Sequence, residues 1–152
     1  MIEEIGAGLS GLEQMEVLLN SPKKVGIFES LKLEFTEVAK GRVVVGGIPD
    51  KHAYNPIGTV HGGYAATMLD SVCGCATHTM LRADQGYTTL ELKVAYHRPI
   101  TRETGQVRAV GEVMSVGRRV AFAEARILDS QDRLLASATS TLLIMEKPAT
   151  SK

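Results

Sequence analysis

The sequence predicts a single α+β domain in which a curved antiparallel sheet of about six strands wraps around one long buried helix. Residues 64–81 form a long, mostly apolar run without proline, which is typical of a buried helix. The strand-like runs after this helix follow one another without crossover helices, which disfavours a doubly wound parallel sheet. With 152 residues the chain is large enough to bury a core and is most simply one domain, residues 1–152.

The segment before the long helix predicts a short helix and a hairpin. Residues 10–20 begin at a serine, a favourable helix cap, and carry apolar side chains at helical spacing on one face. From Leu31 the apolar residues alternate with polar ones, as in a half-buried strand. A turn at residues 39–42 leads into a second strand at residues 43–47, and residues 48–59 are irregular.

The segment after the long helix predicts the rest of the sheet. Alternating and β-branched residues predict four more strands, at residues 88–97, 105–114, 119–128 and 134–145. Short polar or glycine-containing turns separate them. The last residues, about 147–152, are polar, and we expect them to fray.

Composition and charge exclude several classes of protein. Lysine plus arginine balance aspartate plus glutamate, 17 against 17, so no net field would attract nucleic acid or an anionic membrane. Asp70, His78 and several threonines interrupt the longest apolar run, which argues against a transmembrane span. The start of the chain is acidic and lacks the basic region of a secretory signal, so we expect a cytoplasmic protein.

The two cysteines do not suggest a disulfide or a metal site. Cys73 and Cys75 lie two apart in the predicted helix, so their side chains point to different faces and cannot easily be bridged. A second cysteine or histidine cluster does not accompany them in the sequence. We therefore expect reduced thiols, and a protein that needs no metal or organic cofactor.

Asp70 is the acidic group inside the long apolar run, where an uncompensated carboxylate is unfavourable. Such a residue is expected either to have a chemical task or to lie at a wet subunit boundary with a hydrogen-bond partner. Gly62 and Gly63 stand where the helix is expected to begin. A helix N-terminus presents unpaired N–H groups and partial positive charge, and glycine lets a carbonyl approach them closely. The alternative is that the glycines serve a tight turn or helix packing.

These residues carry a pattern that resembles the acyl-CoA thioesterases of the hotdog fold, in the branch of the phenylacetate-pathway and 4-hydroxybenzoyl-CoA thioesterases. That branch has an Asn or Gln, a Gly, a His-Gly-Gly step and then an Asp or Glu. The matching residues, at the family's spacing, are Asn55, Gly58, His61, Gly62, Gly63 and Asp70. The resemblance continues through residues 96–100 and 115–119 and covers roughly residues 28–146. It implies a hotdog fold and hydrolysis of an acyl- or aryl-CoA thioester to free acid and CoA.

The resemblance implies catalytic roles for four residues. Asp70 would attack the acyl carbon directly or deprotonate a water, and the sequence leaves both routes open. The Gly62 N–H would polarise the thioester carbonyl. Asn55 would orient the water or the carboxylate, unless it is an ordinary turn former. His61 would donate to the thioester or fix the loop, whereas an isolated histidine is more often a capping or core residue.

A second set of residues is implied to bind the substrate: Gly63, Thr89, Tyr96, Arg98, Gly117, Arg118 and Arg119. In the resembling family the segments that hold the arginines contact the nucleotide and pantetheine, and the planar guanidinium suits phosphate. Thr89 matches a position with a hydroxyl near the attacking water. The alternatives are solvated surface arginines and a threonine that is there for its strand propensity.

The spacing of Gly62 and Asp70 predicts an oligomer. Eight residues of helix separate them by about 12 Å, whereas reacting groups must come within roughly 3 Å of each other. Two antiparallel copies of the helix would place Gly62 of one subunit opposite Asp70 of the other, and the sites of the resembling family do lie at dimer interfaces. We therefore expect at least a dimer with composite active sites and inactive monomers, and a dimer of dimers (a homotetramer) as the full assembly.

Two other functions stay open from the sequence. A hotdog hydratase or dehydratase acting on acyl thioesters would pair a catalytic histidine with an acidic residue in other patterns, which the sequence lacks. A non-catalytic acyl-CoA binding or sensing module would need an output domain, for which residues 1–27 are too short. The acyl group also stays open, because aryl, branched and medium-chain thioesters all fit.

Overall fold

The computed structural model describes Gly6, residues 8–24 and residues 26–147. Its helices are α1 (Gly11–Leu19), α2 (Ile27–Ser30) and α3 (Gly62–His78). Its strands are β1 (Leu33–Ala39), β2 (Arg42–Gly47), β3 (Gln85–Tyr96), β4 (Val107–Val116), β5 (Val120–Asp129) and β6 (Leu134–Glu146). The tail that we expected to fray is residues 147–152. Lys147 is described, and its N–H donates to the Asp84 carbonyl at 2.7 Å, whereas residues 148–152, like the acidic start at residues 1–5, lie outside the described residues.

The strands form one antiparallel sheet in the order β1-β2-β4-β5-β6-β3, so β1 and β3 are its edges. This sheet and the single long helix confirm the predicted α+β architecture. β3 begins three residues earlier than predicted, because its pairing with β6 continues to Gln85, which lies opposite Glu146. The four-residue helix α2 was not predicted, since it is too short to show a helical period.

The predicted N-terminal helix is present as α1. Its cap is reciprocal: the Glu13 N–H donates to the Ser10 hydroxyl, and the Ser10 N–H donates to the Glu13 carboxylate at 2.7 Å. A Cβ on Gly11 would collide with the carbonyl oxygen of His78. Glycine at this position therefore lets α1 dock directly on the C-terminal end of α3.

The long helix α3 starts at the glycine pair, as expected, but it ends at His78 and not at Leu81. The difference comes from a change in hydrogen bonding. The Met80 N–H donates to the Thr77 carbonyl and the Leu81 N–H donates to the His78 carbonyl, so the last residues tighten into three-residue turns.

Small residues on the central strands let α3 lie close to the sheet. Met68, Leu69 and Val72 of the helix are fully buried. They face a sheet in which alanines alternate along β5, and in which a Cβ on Gly111 of β4 would collide with the Val72 backbone. This close packing fixes the helix firmly over β4 and β5.

One face of α3 is not covered by the chain's own sheet, although the apolar sequence predicted a helix buried on nearly every side. The residues of this open face recur at helical spacing and are half-buried or exposed: Gly63, Ala66, Thr67, Asp70 and Ser71. Asp70 therefore lies on a helix face that a second molecule can cover.

Candidate active site

The loop before α3 orients the first turn of the helix. The Val60 N–H donates to the Ile100 carbonyl at 3.0 Å, and the His61 N–H donates to the Ala53 carbonyl at 2.7 Å. His61 is the N-cap residue, and its Nδ1 accepts a hydrogen bond of 2.7 Å from the Gly63 N–H. The capping role that the sequence offered for His61 is thus seen in its contacts.

The Gly62 N–H is the unpaired donor of this helix end. Across the part of the chain that the structure describes, no acceptor lies within hydrogen-bonding distance of it. It combines an unsatisfied N–H with the partial positive charge of the N-terminus of a 17-residue helix. A negatively charged or polarised oxygen would be stabilised at this position.

Tyr96 covers the glycine pair from the end of β3. Its phenol donates to the Gly62 carbonyl oxygen at 2.8 Å. A Cβ on Gly62 would lie 3.0 Å from the phenol oxygen, which is tighter than an ordinary van der Waals contact. The ring of Tyr96 therefore requires a glycine, or a displaced ring, at this position.

Asn55 uses its side chain within the loop. Its Oδ1 accepts from the N–H groups of Ile57 and Thr59, both at 3.1 Å, and its Nδ2 donates to the Thr59 hydroxyl at 2.8 Å. Gly58 follows with a φ of +91°, which favours glycine in this turn. These contacts match the turn-forming alternative, and a role for Asn55 toward a water stays a prediction.

A cleft of about 350 Å³ opens beside the N-terminus of α3. It gathers Asn55, His61, Gly62, Tyr96 and Arg98 from the predicted site. The Arg98 Nη1 donates to the Leu134 carbonyl at 2.8 Å, and the rest of its guanidinium is exposed. The apolar lining of the cleft, which sequence reasoning missed, comes from Val60, Ala65, Pro99, Ile100 and Leu135.

His97 is a further lining residue that sequence reasoning did not single out. Its Nε2 is 2.8 Å from the Ser137 hydroxyl on β6. The available signal was its position between Tyr96 and Arg98, in a segment already recognised as part of the pattern. Leu135 had no such signal, because only the strand order brings it to the cleft.

Asp70 lies halfway along α3 and contacts one other predicted residue. The Thr89 hydroxyl of β3 donates to Asp70 Oδ1 at 2.9 Å. Among the described residues, Oδ2 has no hydrogen-bond donor. Asp70 is half-buried, with one carboxylate oxygen held by Thr89 and the other left without a donor from the described residues.

The thiols near Asp70 are held in their neutral form. Burial, with a further contribution from the Asp70 charge, raises the pKa of Cys73 to about 12 and that of Cys75 to about 12. Both are free cysteines. A neutral thiol is a poor nucleophile, so these residues are structural neighbours of the carboxylate and do not compete with it.

The remaining predicted residues form a third group at the β4–β5 turn. The Gly117 N–H donates to the Val120 carbonyl at 2.8 Å and closes the turn. Arg118 and Arg119 are exposed, and neither side chain forms an ion pair or hydrogen bond with a described residue. The Arg119 carbonyl accepts from the N–H of Ile144, which pairs with Tyr87 of β3.

The structure therefore separates the predicted site into three places within one chain. The β4–β5 turn is level with Tyr87, near the start of β3, whereas Tyr96 and the cleft lie at its other end. Nine strand residues separate these two ends by about 30 Å. Asp70 and Thr89 lie between them, which places the carboxylate away from the Gly62 N–H, as the helix spacing predicted.

The described residues contain no group of three or more histidine, cysteine, aspartate or glutamate side chains that could hold a metal ion. Within the same residues, no helix is both long and apolar enough to cross a membrane.

Comparison with known proteins places the chain in a family. The family model described as the thioesterase superfamily matches residues 57–136, more than half of the chain. A 1,4-dihydroxy-2-naphthoyl-CoA hydrolase of Listeria monocytogenes is 23% identical over 123 residues, which cover 81% of this chain and 98% of the relative. The proofreading thioesterase EntH of Cronobacter turicensis is 25% identical over 127 residues, covering 84% and 91%.

A solved structure agrees with these matches. A mutant of the phenylacetic acid degradation protein PaaI from Thermus thermophilus superposes with a TM-score of 0.70 at 26% identity, covering 76% of this chain and 96% of that one. The resemblance noted in the sequence is thereby confirmed. The chain belongs to the thioesterase superfamily, has the hotdog fold and is a thioester hydrolase.

Proposed function

We propose that the protein hydrolyses an acyl- or aryl-CoA thioester to the free acid and CoA, with Asp70 as nucleophile or general base and the Gly62 N–H polarising the carbonyl. The observation that carries this proposal is the unpaired Gly62 N–H at the start of the helix that also holds Asp70. The names of the two relatives, a naphthoyl-CoA hydrolase and a proofreading thioesterase, support the same reaction class.

The site is completed by a second subunit at the β3 edge. β3 pairs with β6 on one side, and its other side has no strand within the described chain. Leu90 on this edge is 58% exposed. An edge strand of twelve residues whose outer side is unpaired is a ready template for antiparallel pairing with its own copy.

A two-fold axis near the middle of β3 brings the separated groups together. Thr89, which holds Asp70, and Tyr96, which covers Gly62, are each three paired positions from Lys93, because the bulge at Leu90 takes one residue of β3 out of the ladder. Antiparallel pairing about that point places the Thr89 end of one strand beside the Tyr96 end of the other. The partner's Asp70 then comes to the Gly62 N–H, twice in each dimer.

The same two-fold axis also brings Arg118 and Arg119 of the partner subunit toward the cleft. Because the β4–β5 turn is level with the start of β3, the partner's Arg118 and Arg119 come to the end of the sheet that holds Arg98 and the cleft. The CoA phosphates would meet these guanidinium groups, and the acyl thioester would lie between the Gly62 N–H and the partner's Asp70. A dimer of dimers would need another surface, for which the exposed Met114 and Phe122 are candidates.

In this arrangement Asp70 can act by either of two routes. As a nucleophile, its free oxygen bonds to the acyl carbon while the C–S bond breaks and CoA leaves as a thiolate, and water then hydrolyses the mixed anhydride. As a base, it takes a proton from a water whose oxygen bonds to the same carbon, after which the C–S bond breaks and CoA leaves as a thiolate. In both routes the Gly62 N–H stabilises the negative charge on the carbonyl oxygen, and Thr89 holds the carboxylate in place.

The direct test is hydrolysis of a panel of acyl- and aryl-CoA thioesters, followed by detection of the released thiol. We expect CoA release with at least one aryl, branched or medium-chain substrate. Hydration of crotonyl-CoA without CoA release would instead show a hydratase. Binding of the panel without release of any thiol would show a non-catalytic module.

Replacing Arg118 and Arg119 together with alanine should raise KM for CoA thioesters about tenfold, with a smaller change in kcat, because charged hydrogen bonds to the nucleotide are lost while the reacting groups stay. Arg126→Ala, at an exposed arginine beside Glu112, is the matched control. N-acetylcysteamine thioesters, which lack the nucleotide, should be unaffected. Equal losses with both kinds of substrate would contradict the assignment.

Lys93→Glu should weaken the dimer about tenfold, because a two-fold axis at Lys93 places Glu91 of one strand diagonally opposite the partner's residue 93, and the new pair of like charges repels twice in each dimer. The double variant Glu91→Lys with Lys93→Glu should restore the dimer, since it only exchanges the two charges. Analytical ultracentrifugation over a dilution series measures both. A single variant that dimerises like the wild type would show that β3 is not the interface.

A further inference from the structure

One peptide group at the start of α3 is hydrogen-bonded at both ends. The Tyr96 phenol donates to its carbonyl oxygen, that of Gly62, at 2.8 Å. Its N–H belongs to Gly63 and donates to His61 Nδ1 at 2.7 Å. The three groups therefore form a chain that runs from the phenol, through the peptide, to the imidazole.

This series of hydrogen bonds determines which nitrogen of His61 carries the proton. A neutral imidazole has one donor and one acceptor nitrogen. Because Nδ1 accepts from the Gly63 N–H, the proton of the neutral ring must be on Nε2. His61 is exposed, and within the described residues Nε2 has no partner, so it is free to donate to a ligand.

The series of hydrogen bonds also determines which N–H groups are available as donors at the start of α3. The Gly63 N–H is already used by His61, which leaves the Gly62 N–H as the backbone donor. Oxyanion sites gain from each additional donor that points at the developing charge. His61 Nε2–H, on the residue next to Gly62 and in the lining of the same cleft, can add one.

Tyr96 strengthens the hydrogen bond between the Gly63 N–H and His61 Nδ1 by donating to the carbonyl of the same peptide group. A donor on a peptide carbonyl polarises the group and makes its N–H a better donor. The phenol thus favours the Gly63 N–H to Nδ1 hydrogen bond, and with it the proton on Nε2. Tyr96 can reach the carbonyl because Gly62 has no side chain to hold the ring away.

We propose that Tyr96 is a positioning residue that holds His61 in the Nε2–H tautomer through the Gly62–Gly63 peptide, so that His61 and the Gly62 N–H offer two donors to the thioester oxygen. This inference rests on the proposed function for the identity of the oxygen. The hydrogen-bonded chain itself belongs to the protein without substrate.

The tautomer is measured by NMR of protein labelled with ¹⁵N-histidine. The four histidines are distinguished with His61→Ser, which also keeps a capping oxygen for the Gly63 N–H. We expect the neutral ring of His61 to show a protonated Nε2 and an accepting Nδ1. Tyr96→Phe should weaken the hydrogen bond, seen as shifts of the Nδ1 and Gly63 amide signals. A proton on Nδ1 in the wild type, or no shift in Tyr96→Phe, would overturn the proposal.

Tyr54→Phe is the matched control for this measurement. The Tyr54 phenol oxygen accepts from the Arg102 N–H at 2.6 Å and has no contact with the glycine pair. Its removal should leave the His61 signals unchanged. Since no step of the NMR experiment requires catalysis, it gives an answer even if the protein fails to hydrolyse any thioester.

Measurements of kcat then test whether this series of hydrogen bonds contributes to the reaction. Tyr96→Phe should lower kcat about two- to tenfold, the effect of one ordinary hydrogen bond. In the His61→Ser background the same change should have little further effect, because the donor that it positions is already gone. Full additivity of the two substitutions would show that Tyr96 does not act through His61.

Discussion

Replacing Asp70 with Asn should lower kcat for thioester hydrolysis by at least about 10²-fold, the low end of what a general base or nucleophile contributes. The amide keeps the size of the side chain and can still accept from the Thr89 hydroxyl, so the helix and the sheet should remain folded. What is lost is the negative charge on the free oxygen, which both chemical routes need. Steady-state rates together with a circular dichroism melting curve measure the two effects separately.

Ser71→Ala is the matched control for Asp70→Asn. Ser71 is also half-buried on the open face of α3, and its hydroxyl has no hydrogen bond with any described residue. Its removal should leave kcat close to that of the wild type. If Asp70→Asn were as active as Ser71→Ala, Asp70 would be a residue of the subunit boundary and the reaction would need another carboxylate.

Replacing Gly62 with Val should lower kcat by about 10²- to 10³-fold, the range seen when an oxyanion donor is lost. The new side chain would push against Tyr96, whose phenol oxygen already lies 3.0 Å from the position of a Cβ. It would also occupy the space in which a carbonyl oxygen approaches the N–H. Rates at saturating substrate measure the loss.

Gly86→Ala is the control for adding a side chain to a glycine. A Cβ there makes an ordinary contact of 3.8 Å with the Lys147 side chain, and the backbone is not in the left-handed region. We expect it to be fully active. A Gly62→Val protein with wild-type kcat would show that the N–H of this residue does not polarise the substrate.

The parts of the site that are local in sequence could be predicted from it. His61, Gly62 and Gly63 are consecutive, so unpaired N–H groups at this place follow from the rules for helix ends, and capping was one of the roles open to His61. The distance between Gly62 and Asp70 follows from helix geometry, because one unbroken helix connects them. The strand periods likewise predicted the sheet to within a few residues at most boundaries.

Contacts between distant segments could not be predicted, because packing decides them. Thr89 and Asp70 were both singled out, but only the position of β3 against α3 shows that the hydroxyl reaches the carboxylate. Arg98 and Arg119 look alike in the sequence, since both stand at turns. The strand order separates them to opposite ends of β3. Asn55 had two roles available, and local turn geometry selects its contacts in the loop.

Mixing two inactive proteins tests whether each active site combines Gly62 of one subunit with Asp70 of the other. In a mixed dimer of Asp70→Asn and Gly62→Val, both lesions fall in one composite site and the other site is intact. With random exchange half of the dimers are mixed, and each has one intact site of two, so about a quarter of wild-type activity should return. If confirmed subunit exchange restores no activity, Gly62 and Asp70 do not act across the interface.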